Sequence, residues 1–245
     1  MGQFIILLES SPDTTTLFTQ EFSVLLPNTS LKGTMVRYCV EHFEPQMLDG
    51  CPYVEPQLVY NSAKQRQAEY LAGRYCSNRA LQTLFNTQRS FLIGKGIHGQ
   101  PLWPSAVVGS IAHSRNWAVA IVSRKANWLG IDCEDVMTME TAQQISAMIA
   151  QPHELLLLSQ CDLPFNYLLS LLFSAKESIY KAIYPRVGKI LDFNVVSIIK
   201  FDLEKKYLVF QFSVELQKIL SGIKEIVVHY FGVKDSICTF VHEIN

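Results

Sequence analysis

The sequence predicts an α+β fold, because helix-like and strand-like segments occur in both halves of the chain. Lys64–Phe85 carries apolar residues at helical spacing, and Phe165–Pro185 predicts one or two helices that stop at Pro185. Near the C-terminal end the apolar pattern alternates, which is typical of strands. The four strands predicted there are Phe193–Phe201, Tyr207–Val214, Glu225–Val233 and Ser236–Ile244.

The remaining elements are shorter and follow one another closely. Thr138 to about Leu158 predicts a helix interrupted near Pro152, and the three glycines of Ile93–Pro104 predict a loop. Apolar runs predict further strands: Phe4–Leu8, Thr34–Val40, Val107–Ser114, Trp117–Ser123 and Asn127–Glu134.

Composition limits the class of protein. The 245 residues are 49% hydrophobic and 18% charged, which is typical of an ordered protein with one large domain or two modest ones. A net charge of −1 argues against a nucleic-acid binder, and no apolar run reaches membrane-spanning length. The N-terminal residues lack the pattern of a secretion signal, and the six cysteines show no metal-ligand spacing. We therefore expect a cytoplasmic protein with reduced thiols.

Charge is distributed unevenly along the chain. Residues 61–100 contain six Lys or Arg and one acid, whereas residues 131–140 contain four acids and no Lys or Arg. This separation indicates an anionic ligand and a cation, provided that the two segments meet in space.

The segment GIDCEDV, Gly130–Val136, follows apolar strand-like sequence. In a strand, Asp132 and Glu134 point to the same face and repel each other unless a cation lies between them. Hard oxygen ligands of this kind suit Mg²⁺, which takes one or two carboxylates and completes its shell with water and substrate phosphates. The alternative is an exposed edge strand with solvated acids, which is the more frequent situation.

Three further patterns allow two interpretations each. Glu177 and Lys181 share a helix face. Either Glu177 contacts a metal and Lys181 a phosphate, or the two form a weak ion pair on the protein surface. His113 ends an apolar strand beside two serines, where it is either structural or within reach of a phosphate. Arg66 and Arg74 lie roughly 12 Å apart along a helix. Either they belong to a solvated face of the helix, or they bind two phosphate groups of one ligand.

The order of these segments is more specific than any one of them. RQAEYLAGR, GQPLWP, GSIAHS, GIDCEDV and FSAKESIYKAIYP occur in turn over about residues 60–200. The series resembles the 4′-phosphopantetheinyl transferases, and most of all their Sfp-type branch, which includes enterobactin synthase component D.

This resemblance implies an activity and a fold. The protein would transfer the phosphopantetheine group of coenzyme A to a serine of an apo carrier protein, with release of adenosine 3′,5′-bisphosphate. Siderophore or nonribosomal peptide synthesis is the implied pathway, an acidic helical carrier domain the partner, and a monomer the expected state. The fold would be a pseudo-dimer of two similar α/β halves, 1–123 and 124–245, with the active site in the cleft between them.

The resemblance also assigns roles to residues. In the second half it places a Mg²⁺ ion on Asp132, Glu134, Glu177 and the main-chain carbonyl of Cys133. It makes Glu177 the candidate base for the carrier serine, and Lys181 the group that holds the pyrophosphate. The residues implied to contact coenzyme A are Arg66, Arg74, His98, Gly99, Gln100, Pro101, Ala112, His113, Asp132, Glu177, Lys181 and Leu191.

Two departures and two alternatives accompany the resemblance. Ala112 stands where family members often have Ser or Thr, and His98 stands at a commonly basic position. A magnesium-dependent nuclease is disfavoured, because such sites usually place the second acid and the lysine two residues apart on a strand. A non-catalytic module that binds coenzyme A or the carrier would be expected to have lost one of the residues that carry the chemistry. All four of these residues are present: Asp132, Glu134, Glu177 and Lys181.

Overall fold

Two five-stranded sheets, each accompanied by one long helix, form most of the structure. The computed structural model describes residues 6–10, 17–25 and 29–244. The chain divides into two compact units, one that runs to Leu129 and one that extends from Gly130 to His242. The division therefore falls within a strand.

The first unit contains an antiparallel sheet with the strand order β1-β2-β3-β7-β6. The helix α1 packs against its central strands β3 and β7. A two-stranded hairpin, β4–β5, lies between the helix and β6. The elements are β1 (Ile6–Ser10), β2 (Phe18–Leu25), β3 (Lys32–Tyr38), α1 (Lys64–Phe85), β4 (Gly94–Lys95), β5 (Pro101–Leu102), β6 (Val108–His113) and β7 (Trp117–Ser123).

The packing of α1 follows from its sequence pattern. All five apolar residues that predict the helix are buried against the sheet: Ala68, Leu71, Ala72, Tyr75 and Ala80. Every residue of β7 is buried, as expected for an apolar strand that lies inside a sheet and beneath a helix. The helix ends at Asn86, which adopts the left-handed conformation with φ of 50° and closes the last turn.

The second unit contains a sheet with the strand order β8-β12-β11-β10-β9 and the long helix α4. The elements are β8 (Ala126–Asp135), α2 (Met139–Ile149), α3 (Pro152–Leu158), α4 (Phe165–Val187), β9 (Val196–Asp202), β10 (Tyr207–Phe212), α5 (Val214–Ile219), β11 (Glu225–Val233) and β12 (Ser236–Ile244). The first four residues of β8 belong to the first unit.

One glycine determines how closely α4 approaches the sheet. A Cβ atom added at Gly130 would collide with the carbonyl oxygen of Ser178, and it would also come within 3.0 Å of the Ala182 side chain. Strand and helix therefore meet backbone to backbone at this point, directly beside Asp132 in the sequence.

The sequence predicted most elements correctly and some boundaries wrongly. The prediction that Pro185 stops the helix was wrong: α4 continues to Val187, because proline in the last turn removes only one hydrogen bond. Gly188 ends the helix with φ of 66°. Phe193–Val195 forms a 3₁₀ turn rather than strand, and Val214 begins the unpredicted helix α5, whose first turn Ser213 caps.

The α+β class with two sheet-rich parts is confirmed. The predicted halves 1–123 and 124–245, and the cleft expected between them, stay predictions. Phe4 and Ile5 of the first predicted strand lie outside the described residues. None of the described helices combines the length and the apolar character that crossing a membrane would require. All six cysteines are free thiols.

Candidate functional site

Strand β8 presents its acidic residues to two faces of the sheet, as the alternation of a strand requires. Asp132 is buried and bonds to a side chain of α4. Cys133, on the opposite face, is buried beside Cys238. Asp135 accepts a hydrogen bond of 2.7 Å from the hydroxyl of Ser236. Of the three clustered acids, Asp135 is therefore bonded within the sheet, whereas Asp132 and Glu134 are the two whose charges act on Lys181 of α4.

Helix α4 supplies the two other members of this site. The ammonium nitrogen of Lys181 lies 2.6 Å from Oδ1 of Asp132, and Glu177 occupies the preceding turn of the helix. Lys181 therefore joins the helix to the strand and is not limited to a surface pair with Glu177. We call Asp132, Glu134, Glu177 and Lys181 the carboxylate–lysine cluster.

The carboxylates of this cluster destabilise one another's charge. Burial, together with the nearby charge of Asp132, raises the pKa of Glu134 to about 8. The same two causes raise the pKa of Glu177. Burial acts to lower the pKa of Lys181, but Asp132 and Glu177 outweigh it and the pKa is raised. Without a cation the two glutamates are therefore shifted toward their protonated forms, and a bound cation would favour their ionised forms.

The cluster has oxygen donors that suit a hard cation. Oδ2 of Asp132 is buried and accepts no hydrogen bond from the described residues. Such an atom is costly unless a ligand contacts it. Within the described ranges no group of three or more His, Cys, Asp or Glu side chains is arranged as a ready metal site. A cation here would depend on one or two carboxylates with water and ligand oxygens, the manner in which Mg²⁺ is usually held.

A second cluster lies in the first unit, where α1 meets the end of β6. Nη1 of Arg66 lies 2.8 Å from Nε2 of His113 and 3.2 Å from Oε2 of Glu69. Because arginine only donates, Nε2 of His113 accepts and the ring proton is on Nδ1, which faces Glu69 at 3.7 Å. The structure thus brings Arg66 and His113 together with Glu69, which sequence reasoning missed.

Arg74 is a buried cation two turns further along α1. Its side chain stacks on the ring of Tyr70 at 4.9 Å, and the residue is only 7% exposed. Nε has no hydrogen-bond partner in the part of the chain that the structure describes. The ion pairs formed there do not include Arg74. A buried guanidinium without a carboxylate could bind an anionic ligand.

The remaining predicted contact residues lie on a hairpin, in a strand and in a loop. His98, Gly99, Gln100 and Pro101 form the tip and the return strand of the β4–β5 hairpin. Gly99 has φ of 86°, which the turn requires, and the main chain of His98 donates to the Gln100 side chain at 3.0 Å. Ala112 is buried within β6, and Leu191 is partly exposed in the loop after α4. Their predicted contacts with coenzyme A stay predictions.

These features define a class of protein before any comparison is made. One unit carries a carboxylate–lysine cluster suited to a cation and a phosphate, and the other carries arginine and histidine groups suited to anions. Each of these sets of groups could bind phosphate, which is consistent with a protein that handles a phosphate-bearing ligand.

Comparison with known families agrees with this class. Residues 54–123 match the family model of the 4′-phosphopantetheinyl transferase N-terminal domain, and residues 129–239 match that of the 4′-phosphopantetheinyl transferase superfamily. The chain belongs to the 4′-phosphopantetheinyl transferase superfamily.

Individual relatives come from several bacteria. Enterobactin synthase component D of Salmonella typhi is 39% identical over 127 residues, 52% of each chain. The 4′-phosphopantetheinyl transferase Npt of Nocardia iowensis is 33% identical over 162 residues, 65% of this chain and 70% of that protein. A crystal structure of holo-[acyl-carrier-protein] synthase from Neisseria meningitidis matches 47% of this chain and 97% of its own, with 27% identity and a TM-score of 0.37. The chain spans about half the length (52%) of the Salmonella relatives that it matches.

Proposed function

We propose that this protein transfers the 4′-phosphopantetheine group of coenzyme A to a serine of an apo carrier protein and releases adenosine 3′,5′-bisphosphate. The observation that carries the proposal is the carboxylate–lysine cluster, in which Lys181 bonds to a buried aspartate whose second oxygen has no partner in the described chain. Membership of the superfamily supports the same reaction, as does the 39% sequence identity to enterobactin synthase component D over 127 residues.

The proposed reaction breaks one P–O bond and forms another. The serine hydroxyl oxygen attacks the phosphorus that bears the pantetheine arm. The bond to the 5′-phosphate oxygen of the nucleotide breaks, and this oxygen leaves with the electron pair. Glu177 takes the serine proton and thereby acts as the general base of the step.

The cluster would also stabilise the charge of the reacting pyrophosphate. The ammonium of Lys181 is held in place by Asp132, so it lies ready to contact the leaving phosphate without reorganisation. We propose that Mg²⁺ would be held by one or two of the carboxylates of Asp132, Glu134 and Glu177, with the Cys133 carbonyl, water and phosphate oxygens as further ligands, and that when bound it would neutralise negative charge on the phosphates. The donor chemistry and the orphaned Oδ2 support this ion.

The anion-binding groups of the first unit would hold the rest of coenzyme A. Arg74 is proposed to bind a nucleotide phosphate, because its buried charge has no acidic partner in the described chain. His113 and Arg66 are proposed to bind the 3′-phosphate, and the hairpin residues His98 to Pro101 to lie against the adenine. The proposed setting is the cytoplasm, with carriers of siderophore or nonribosomal peptide synthesis as partners and a monomeric enzyme.

Intact-mass spectrometry tests the proposal. An apo peptidyl or aryl carrier domain is incubated with coenzyme A, Mg²⁺ and the protein, beside the variants Asp132→Ala and Glu177→Ala. We expect the carrier to gain the mass of phosphopantetheine only with the wild type, and to lose this gain on chelation. If several carrier classes gain no mass while coenzyme A still binds, the protein is a binding module and the proposal is wrong.

A further inference from the structure

A second lysine of α4 forms an ion pair that is completely enclosed. The side chains of Lys176 and Glu154 are both 0% exposed, with 2.7 Å between Nζ and Oε2. Nζ also donates to the carbonyl oxygens of Ile149, at 2.9 Å, and Phe193, at 3.3 Å. All three donors of the ammonium are therefore used.

Glu154 extends this network to two further segments. Oε2 accepts from the main chain of Gln151 at 2.9 Å and completes the capping box of α3. Oε1 accepts from the main chain of Ile198 in β9, also at 2.9 Å. One side-chain pair thus ties the middle of α4 to the end of α2, the first turn of α3, the turn before β9 and β9 itself.

Stability alone does not explain an ion pair at this place. Removing two charges from water costs several kcal/mol per ion, and a well-packed apolar pair of similar volume is often as stable or more stable. Burial accordingly lowers the pKa of Lys176 despite its acidic partner. What the pair provides and an apolar pair does not is directional bonding, which allows one orientation of α4 against its neighbours.

The site depends on that orientation. Lys176 directly precedes Glu177, and Gly130 limits the helix only where its backbone meets Ser178. A rotation of α4 by about 10° would move a carboxylate that lies about 6 Å from the helix axis by about 1 Å. A displacement of this size is enough to reduce catalysis by about 100-fold.

We propose that the Lys176–Glu154 pair is a positioning element of the site: it fixes the rotation of α4 and so sets Glu177 and Lys181 against Asp132. Both residues act through the helix and not on the substrate. The inference rests on the proposed function, but one of its tests does not involve transfer.

The first test replaces the pair by apolar residues of similar volume, Lys176→Met with Glu154→Leu. We expect a urea unfolding midpoint at or above that of the wild type, a kcat about 10- to 100-fold lower and a KM for coenzyme A within about twofold. Lys200→Met is the matched control, because Lys200 is an exposed lysine of β9 that contacts Tyr207. It should keep wild-type kcat. A stable double variant with wild-type kcat would overturn the inference.

A double-mutant cycle separates positioning from a general structural role. On a Glu177→Gln background the same two substitutions should lower the remaining kcat clearly less than on the wild-type background, because only the positioning of Lys181 can then still be lost. An equal loss on both backgrounds would contradict the inference. If the double variant does not fold, Glu154→Gln is measured alone, because its amide oxygen retains the acceptor for the Ile198 main chain. It should likewise lower kcat and leave KM for coenzyme A within about twofold, and an unchanged kcat would overturn the inference.

Amide hydrogen exchange provides the readout without transfer. In the double variant the amides of Glu177–Ile183 should exchange at least tenfold faster at an unchanged unfolding free energy, because the helix is no longer held in one orientation. Unchanged protection would overturn the inference even if the wild type transferred nothing. Absence of transfer by the wild type, with exchange altered as expected, would count against the proposed function alone.

Discussion

The role of Lys181 can be inferred only together with that of Asp132, because the two side chains bond to each other. In the sequence Lys181 stands four residues after Glu177, a spacing that in proteins is usually found on solvated helix faces. In the structure its ammonium bonds to a buried carboxylate of β8. The raised pKa of Glu134 shows that the cluster disfavours a further negative charge, and a bound cation would remove that penalty.

Arg74 should show opposite effects on stability and on binding. Because its buried charge has no acidic partner in the described chain, Arg74→Met should leave the unfolding free energy of the ligand-free protein unchanged or raise it by about 1 kcal/mol. The same variant should lose most of the stabilisation that coenzyme A gives the wild type. Thermal unfolding with and without coenzyme A measures both. A variant that is destabilised alone yet still stabilised by coenzyme A would contradict this account of Arg74.

His229 should make the protein less stable in acid. Burial, followed by the neighbouring His242, lowers its pKa to about 4, and Nδ1 is buried without a hydrogen-bond partner among the described residues. Between pH 6.5 and 4 the unfolded chain therefore binds the proton that the folded protein does not, so the unfolding free energy falls as pH is lowered. The partly exposed ring limits this loss to about 1–2 kcal/mol.

The substitution His229→Gln tests this dependence. Urea unfolding at pH 7.5, 6 and 5 should give a flatter pH dependence for the variant than for the wild type. His153→Gln, at an exposed position of α3, is the control and should retain the wild-type slope. If the His229 variant and the wild type lose stability in parallel, protonation of this ring does not explain the acid sensitivity.

At the scale of elements, the important contact is the close approach of β8 and α4. Gly130→Ala would force its Cβ against the carbonyl oxygen of Ser178, so strand or helix must move. We expect a loss of about 3 kcal/mol in unfolding free energy and a lower kcat, because the helix carries Glu177 and Lys181. Gly232→Ala is the matched control: in β11 a Cβ would have no neighbour within 4 Å, and the change should stay within about 0.5 kcal/mol. Equal stabilities of the two variants would contradict the close approach.

The elements also show how far sequence reasoning reaches. The alternation of β12 and the helical spacing of α1 are local patterns, and both elements have the predicted bounds. The end of α4 depends on Gly188 rather than on Pro185, and α5 is only six residues long, too short for a clear periodic pattern. The partners Glu69 and Glu154 were missed, because their contacts join residues 44 and 22 positions apart in the chain. The order of the motifs identified the candidate site residues, but it did not indicate which of their side chains contact one another.

At the scale of the whole molecule, the two units offer complementary chemistry. The first unit contains the cationic side chains of Arg66 and the buried Arg74. The second contains the clustered carboxylates and Lys181. The proposed reaction needs both, since coenzyme A carries a 3′-phosphate as well as the pyrophosphate that is cleaved.

The most direct test of the central claim is the stoichiometry of the products. Carrier-bound phosphopantetheine and free adenosine 3′,5′-bisphosphate are measured in one reaction over time, by intact mass and by chromatography. The account predicts that the two appear in equal amounts and that neither appears when the carrier serine is replaced by alanine. Release of adenosine 3′,5′-bisphosphate without modified carrier would identify a hydrolase and contradict the account.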